Sequence, residues 1–243
     1  MLEKTRGIVL RTIKYNETNN IVDIYTEAFG RMAFLVPVSR SRRATLRSGW
    51  MQPLSMLDLD ITVKPTTRLQ RIKELRCTYP LVSIPCHPHK TAIALFLAEM
   101  LARSLREEGE NQALFVYLQH SIRWFDACEG RPFANFHLVF LMRLSRFLGI
   151  YPNLDNYRCG NYFDMLNACF VSLPPVGHQA YLSAAEAALI PAMMRMNYDT
   201  MHLFELNRVQ RNRCLEIIVR YYQLHIPAFG EPKSLEILRE LFV

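Results

Sequence analysis

The sequence has no apolar run approaching the roughly 18–20 residues that a membrane-spanning helix needs. No apolar segment of the signal-peptide kind follows its opening residues, Met1-Leu2-Glu3-Lys4-Thr5-Arg6-Gly7. A cytoplasmic address with no membrane partner is therefore expected. Its six cysteines are Cys77, Cys86, Cys128, Cys159, Cys169 and Cys214, and no two stand at C-x-x-C spacing. A chain of this size holds a core without disulfides, so reduced and mostly buried thiols are expected. G-x-G-x-x-G, the P-loop, H-E-x-x-H and G-x-S-x-G are all missing. Nothing pairs a nucleophile with a visible base, so no enzyme and no cofactor is expected. Internal repeats and low-complexity segments are also missing.

What is there is ordinary globular material. Of 243 residues, 50% are apolar and 21% charged, which excludes disorder as the main state. The net charge of +7 is placed unevenly. Residues 1–80 hold 14 Lys or Arg against 7 Asp or Glu, and residues 81–243 hold 15 against 15. Such asymmetry suits one part that faces a polyanion and another that does not.

The first third reads as β. Ile8–Ile13, Asn20–Thr26 and Arg31–Val36 are rich in β-branched or alternating apolar residues, and Leu57-Asp58-Leu59-Asp60-Ile61-Thr62-Val63 alternates throughout. Leu69, Ile72 and Leu75 are spaced by three, so Leu69–Arg76 reads equally as strand or helix. Taken as a strand, it completes a five-stranded OB-fold β-barrel with a long basic insertion between its third and fourth strands. Pro80, Pro85 and Pro88 then punctuate a linker. The period beyond it is helical: Ile93 to Leu105, Leu114 to Phe125, Phe133 to Leu148, a capping box at Ser183-Ala184-Ala185-Glu186, Val209 to Leu224 and Ser234 to Phe242. The expected fold is α+β and multidomain, with the barrel in residues 1–80 and an all-α domain in 81–243. That domain contains an irregular segment, 151–181.

Four arginines crowd the basic insertion, Arg40, Arg42, Arg43 and Arg47, with Ser and Thr between them and Trp50 after them. Guanidinium forks and hydroxyls suit phosphate oxygens, and an adjacent ring can stack a base. Arg11, Lys14, Lys64, Arg68 and Arg71 lie on strands or strand ends and extend the track, and Tyr15 is a further stacking candidate. Asp58 and Asp60 alternate on one strand, roughly 6–7 Å apart. That spacing also suits Mg²⁺ in a nuclease, but the wet face of an amphipathic strand accounts for it without a metal. Cys86-His87-Pro88-His89 lacks a second ligand pair at zinc spacing. An RNA- or tRNA-binding OB-fold protein is the alternative reading, since the electrostatics serve either nucleic acid.

The ordered set of features resembles the RecO family of bacterial recombination mediators. It comprises Gly7-Ile8-Val9-Leu10, Glu17, Thr26-Glu27-Ala28-Phe29-Gly30, the Arg40–Arg47 loop, Met51-Gln52-Pro53-Leu54, Phe147-Leu148-Gly149-Ile150-Tyr151-Pro152-Asn153-Leu154 and Lys233-Ser234-Leu235. The resemblance implies an OB-fold followed by a helical domain. It also implies binding of single- and double-stranded DNA, annealing of complementary strands, and engagement of the C-terminal tail of single-stranded-DNA-binding protein. With RecR, such a protein helps load RecA. Phe140, Arg143, Arg146 and Phe147 are the candidates for holding a tail that ends in a ring and a carboxylate. Many members carry a four-Cys zinc site. Here Asn156 replaces the first Cys, Cys159-Gly160 matches the second, and Ser172 stands where the partner of Cys169 would fall. Two thiolates do not close a tetrahedral site, so no metal is expected. Packing through Tyr162, Phe163 and Phe170 is expected to hold that segment instead.

Overall fold

A computed structural model describes residues 2–38, 48–64, 66–106, 109–128 and 133–241. Five strands run β1 (Leu2–Lys14), β2 (Asn19–Thr26), β3 (Gly30–Pro37), β4 (Met56–Thr62) and β5 (Leu69–Tyr79). They close a barrel in the order β1-β2-β3-β5-β4. All neighbours are antiparallel except β3 and β5, which pair in parallel at Ala33–Leu69 and Phe34–Gln70. A five-stranded Greek-key barrel of this kind is the OB fold. Its core gathers one face of each strand: Val9, Val22, Ile24, Phe34, Leu57, Leu59, Ile61, Ile72 and Leu75. The ambiguous segment is β5, and its spacing of three has a local cause. The register slips so that Asp60 faces Glu74 while the next residue, Ile61, faces Ile72. Lys73 is the extra residue of a β-bulge, which lets Ile72 and Leu75 both point inward although three apart.

The chain forms two compact units, residues 1–129 with 232–241, and residues 130–231 with 242–243. The change from strand to helix falls in the Pro-punctuated linker, whereas the units divide at 129/130 and 231/232.

In the first unit the barrel is joined by α1 (Pro88–Ser104), α2 (Gln112–Ala127) and α7 (Ser234–Leu241). The linker is tied down by buried charge. The Asp126 carboxylate accepts the N–H groups of Val82, Ser83 and Ile84 at 2.9–3.1 Å. The buried Lys90 ammonium donates to the Phe125 and Cys128 carbonyls at 2.9 and 2.8 Å, at the negative end of α2.

The second unit holds α3 (Phe136–Phe147), β6 (Tyr162–Asp164), β7 (Cys169–Val171), β8 (Tyr181–Leu182), α4 (Ala184–Ala187), α5 (Leu189–Arg195) and α6 (Arg208–His225). The all-α expectation is corrected here, because β6, β7 and β8 form a small antiparallel sheet in the order β7-β6-β8. Strands of two or three residues are too short to show a period. They are held by the Asp164 carboxylate, which accepts the Leu166 and Asn167 N–H groups across the β6–β7 turn. Aromatic contacts add to this: Phe163 to Phe170 at 5.0 Å and Tyr157 to Phe170 at 4.9 Å. The capping box at Ser183 and Glu186 forms, but the helix it starts stops after one turn and resumes as α5.

Candidate nucleic-acid interface

Cations of the barrel collect at the β1–β2 hairpin and around the β4–β5 loop. In the hairpin, residues 11–18 are exposed. The Asn16 side-chain oxygen accepts the Thr18 and Asn19 N–H groups at 3.0 and 2.7 Å and fixes the tip. Tyr15 is 59% exposed there, and Lys14 pairs with Glu17 at 2.6 Å. Arg11 lies opposite Asp23 in the β1–β2 ladder and donates its Nε to that buried carboxylate. Across the β4–β5 loop, Lys64, Arg68 and Arg71 are all exposed.

Two open clefts result, and both are lined by Gln70. The first is lined by Arg11, Asp23, Arg31, Arg68 and Arg106, four guanidiniums against one carboxylate. The second is lined by Leu35, Thr62, Lys64, Thr67 and Arg71, two cations and two hydroxyls. Arg31 and Arg106 were not legible as site residues. Arg31 is half-buried, donating to Asp23 at 2.8 Å and to the Ala102 carbonyl at 3.1 Å. Arg106 stands beyond α1, outside the basic third of the sequence, and no spacing connects it to the barrel.

Other expected residues fall elsewhere. Arg40, Arg42, Arg43 and Arg47 lie outside the described residues. Trp50 is half-buried against the barrel core, which gives it a packing role. Phe140 is fully buried, 6.0 Å from Phe136, because positions 136, 140 and 144 form the core stripe of α3. Arg143 and Arg146 lie over aromatic rings, at 5.2 Å from that of Tyr198 and 4.9 Å from that of Tyr151, while Phe147 is half-buried.

Asp58 and Asp60 sit in a band of mixed charge on the barrel wall. In the register Asp58 lies between Arg6 and Arg76, and Asp60 between Lys4 and Glu74. The Arg6 guanidinium is held above its ordinary pKa, first by its hydrogen bond to Glu27 and also by the Asp58 charge. Among the described residues no three His, Cys, Asp or Glu side chains are grouped so as to hold a metal ion. Cys159 is exposed and Cys169 half-buried, and burial pushes the Cys169 thiol up. Among the described residues no helix is long and apolar enough to cross a membrane.

Comparison with known proteins places the chain in a family. Residues 1–81 match the family described as "Recombination protein O N terminal", and residues 87–236 match "Recombination protein O C terminal". The chain is 58% identical over 242 residues to the DNA repair protein RecO of Bacteroides fragilis and 57% identical to that of Phocaeicola vulgatus, with 100% of each chain covered. It is 32% identical to the corresponding protein of Porphyromonas gingivalis, again with full coverage of both. With both family matches in chain order on a barrel and a mainly helical region, the chain belongs to the RecO family of DNA repair and recombination proteins, which are mediators and not enzymes.

Proposed function

We propose that the barrel, residues 1–80, binds single- and double-stranded DNA, and that the helical region, residues 81–243, carries the protein contacts. The observation that carries this reading is the pair of cationic clefts meeting at Gln70. Arg11, Arg31, Arg68, Arg106, Lys64 and Arg71 neutralise phosphates there, and the exposed Tyr15 stacks a splayed base. Arg40, Arg42, Arg43 and Arg47 add four further cations of the same sequence region for the same polyanion. Neutralising two strands on one surface lowers their repulsion, which favours pairing of complementary sequences. With RecR, the protein then helps load RecA onto DNA coated by single-stranded-DNA-binding protein. Arg143, Arg146 and Phe147 receive that protein's C-terminal tail: a guanidinium held over a ring is pre-set for a carboxylate. The work is done in the cytoplasm and breaks no covalent bond.

The test is annealing of complementary DNA strands coated with single-stranded-DNA-binding protein. Acceleration by this chain is expected, together with loss of acceleration when the coating protein lacks its tail. No acceleration, or equal competition by RNA of matched sequence, would transfer the reading to the RNA-binding alternative.

A further inference from the structure

Gln70 breaks the inside-out rule of the barrel. It lies on β5 in the same inward-facing row as Ile72, and it is 7% exposed. An apolar side chain there would cost nothing in unmet hydrogen bonds, whereas a buried amide must find partners for all its polar groups. Gln70 finds every one of them in the β4–β5 loop. Its Oε1 accepts the Lys64 N–H at 2.9 Å, and its Nε2 donates to the Lys64 carbonyl at 2.9 Å and to the Thr67 carbonyl at 2.5 Å. The Thr67 N–H donates to the Lys64 carbonyl at 3.2 Å, so the loop is clasped at both ends. The residue that makes these bonds also lines both cationic clefts. Parallel pairing of Phe34 with Gln70 anchors its backbone to β3.

We infer that Gln70 is a positioning residue for nucleic acid. It fixes the β4–β5 loop so that Lys64 in one cleft and Arg68 in the other stand at a set separation before the strand arrives. Cations on a slack loop must lose conformational freedom on binding, and cations on a clasped loop have already lost it. Gln70 raises affinity while contributing no charge. The inference rests on the phosphate-binding reading of the two clefts.

The experiment compares the full chain with Gln70→Leu, Lys64→Ala/Arg68→Ala and the combined triple variant, by fluorescence anisotropy on a labelled oligo-dT strand. Gln70→Leu keeps the size of the side chain and removes the clasp. It is expected to weaken binding about 3- to 10-fold, with no change in the number of ions released. In the Lys64→Ala/Arg68→Ala background the same change is expected to have no effect, because the groups it positions are gone. A thermal melt accompanies each variant, and Gln70→Asn, which is too short to reach the loop, repeats the test should Gln70→Leu fold poorly. A loss that persists in full without Lys64 and Arg68 would make Gln70 merely structural and overturn the inference. So would wild-type affinity in both Gln70 variants alongside a weakened Lys64→Ala/Arg68→Ala protein. If Lys64→Ala/Arg68→Ala itself binds like wild type, it is the phosphate-binding reading that fails.

Discussion

Gly7 shows how one residue can be fixed by space alone. It is buried in β1, and a Cβ built there would come within 2.6 Å of Ile24 Cγ2 and 2.8 Å of Leu59 Cδ1. Both neighbours belong to the barrel core, so neither can withdraw without disturbing its packing. Gly7→Ala is therefore expected to destabilise the protein by about 1–3 kcal/mol through overpacking. A lower urea midpoint with an unchanged slope would show it, and an unchanged midpoint would refute it. In the sequence Gly7 was visible only as the first letter of Gly7-Ile8-Val9-Leu10, because no local pattern reports what lies across a barrel. The same limit applies to Phe140. Its spacing announced a buried stripe and its proximity to Arg143 and Arg146 suggested a binding group, and the fold buries it.

Among the elements, α7 starts on a single side chain of α1. Its N-terminal N–H groups need acceptors, and Glu99 of α1 supplies them. The carboxylate accepts from the Lys233 and Ser234 N–H groups at 3.1 and 2.9 Å and from the Ser234 hydroxyl at 2.5 Å, and Arg103 holds it from the other side at 2.7 Å. Burial pushes Glu99 up, but the hydrogen bonds from Ser234, Arg103 and Lys233 outweigh that and bring it down to about 2, from an ordinary 4.5. A carboxylate depressed in the folded state gives its full stabilisation above its unfolded pKa and loses it as the pH falls toward the folded one. Glu99 thus supports α7 fully above about pH 4.5 and progressively less toward about pH 2. Glu99→Gln is expected to cost about 1 kcal/mol at pH 7, a figure reduced for partial exposure. The gap between variant and wild type should narrow in denaturant titrations as the pH is lowered from 4.5 to 2. A gap that stays constant with pH would show that the charge plays no part. Helix positions such as α1 and α6 could be read from their periods. This clasp could not, because Glu99 and Ser234 are 135 residues apart. At β5 the reverse occurred: a bulge at Lys73 disguised a strand by giving its core residues a helical spacing.

For the molecule as a whole, the charge asymmetry is the feature that survives from sequence to structure with least change. The excess of cations lies in the first 80 residues, and those residues are the barrel. What the sequence could not supply was the distribution of those cations over the wall. Arg6 and Arg76 flank Asp58 in a band of mixed charge, while Lys64, Arg68 and Arg71 gather with Arg11 around Gln70 with a single carboxylate among them. On the proposed reading it is the second group that releases counterions from DNA, and this gives a quantitative expectation. If Lys64, Arg68, Arg71 and one further cation of the two clefts each neutralise one phosphate of a single strand, log affinity should fall against log salt with a slope of about −3. That is roughly a 60-fold loss between about 50 and 200 mM salt. Lys64→Ala/Arg68→Ala/Arg71→Ala should flatten the slope by about 2 units, whereas Arg76→Ala, which removes a cation already facing Asp58, should leave it nearly unchanged. Equal flattening by both changes would mean that net charge alone, and not its arrangement around Gln70, draws the nucleic acid.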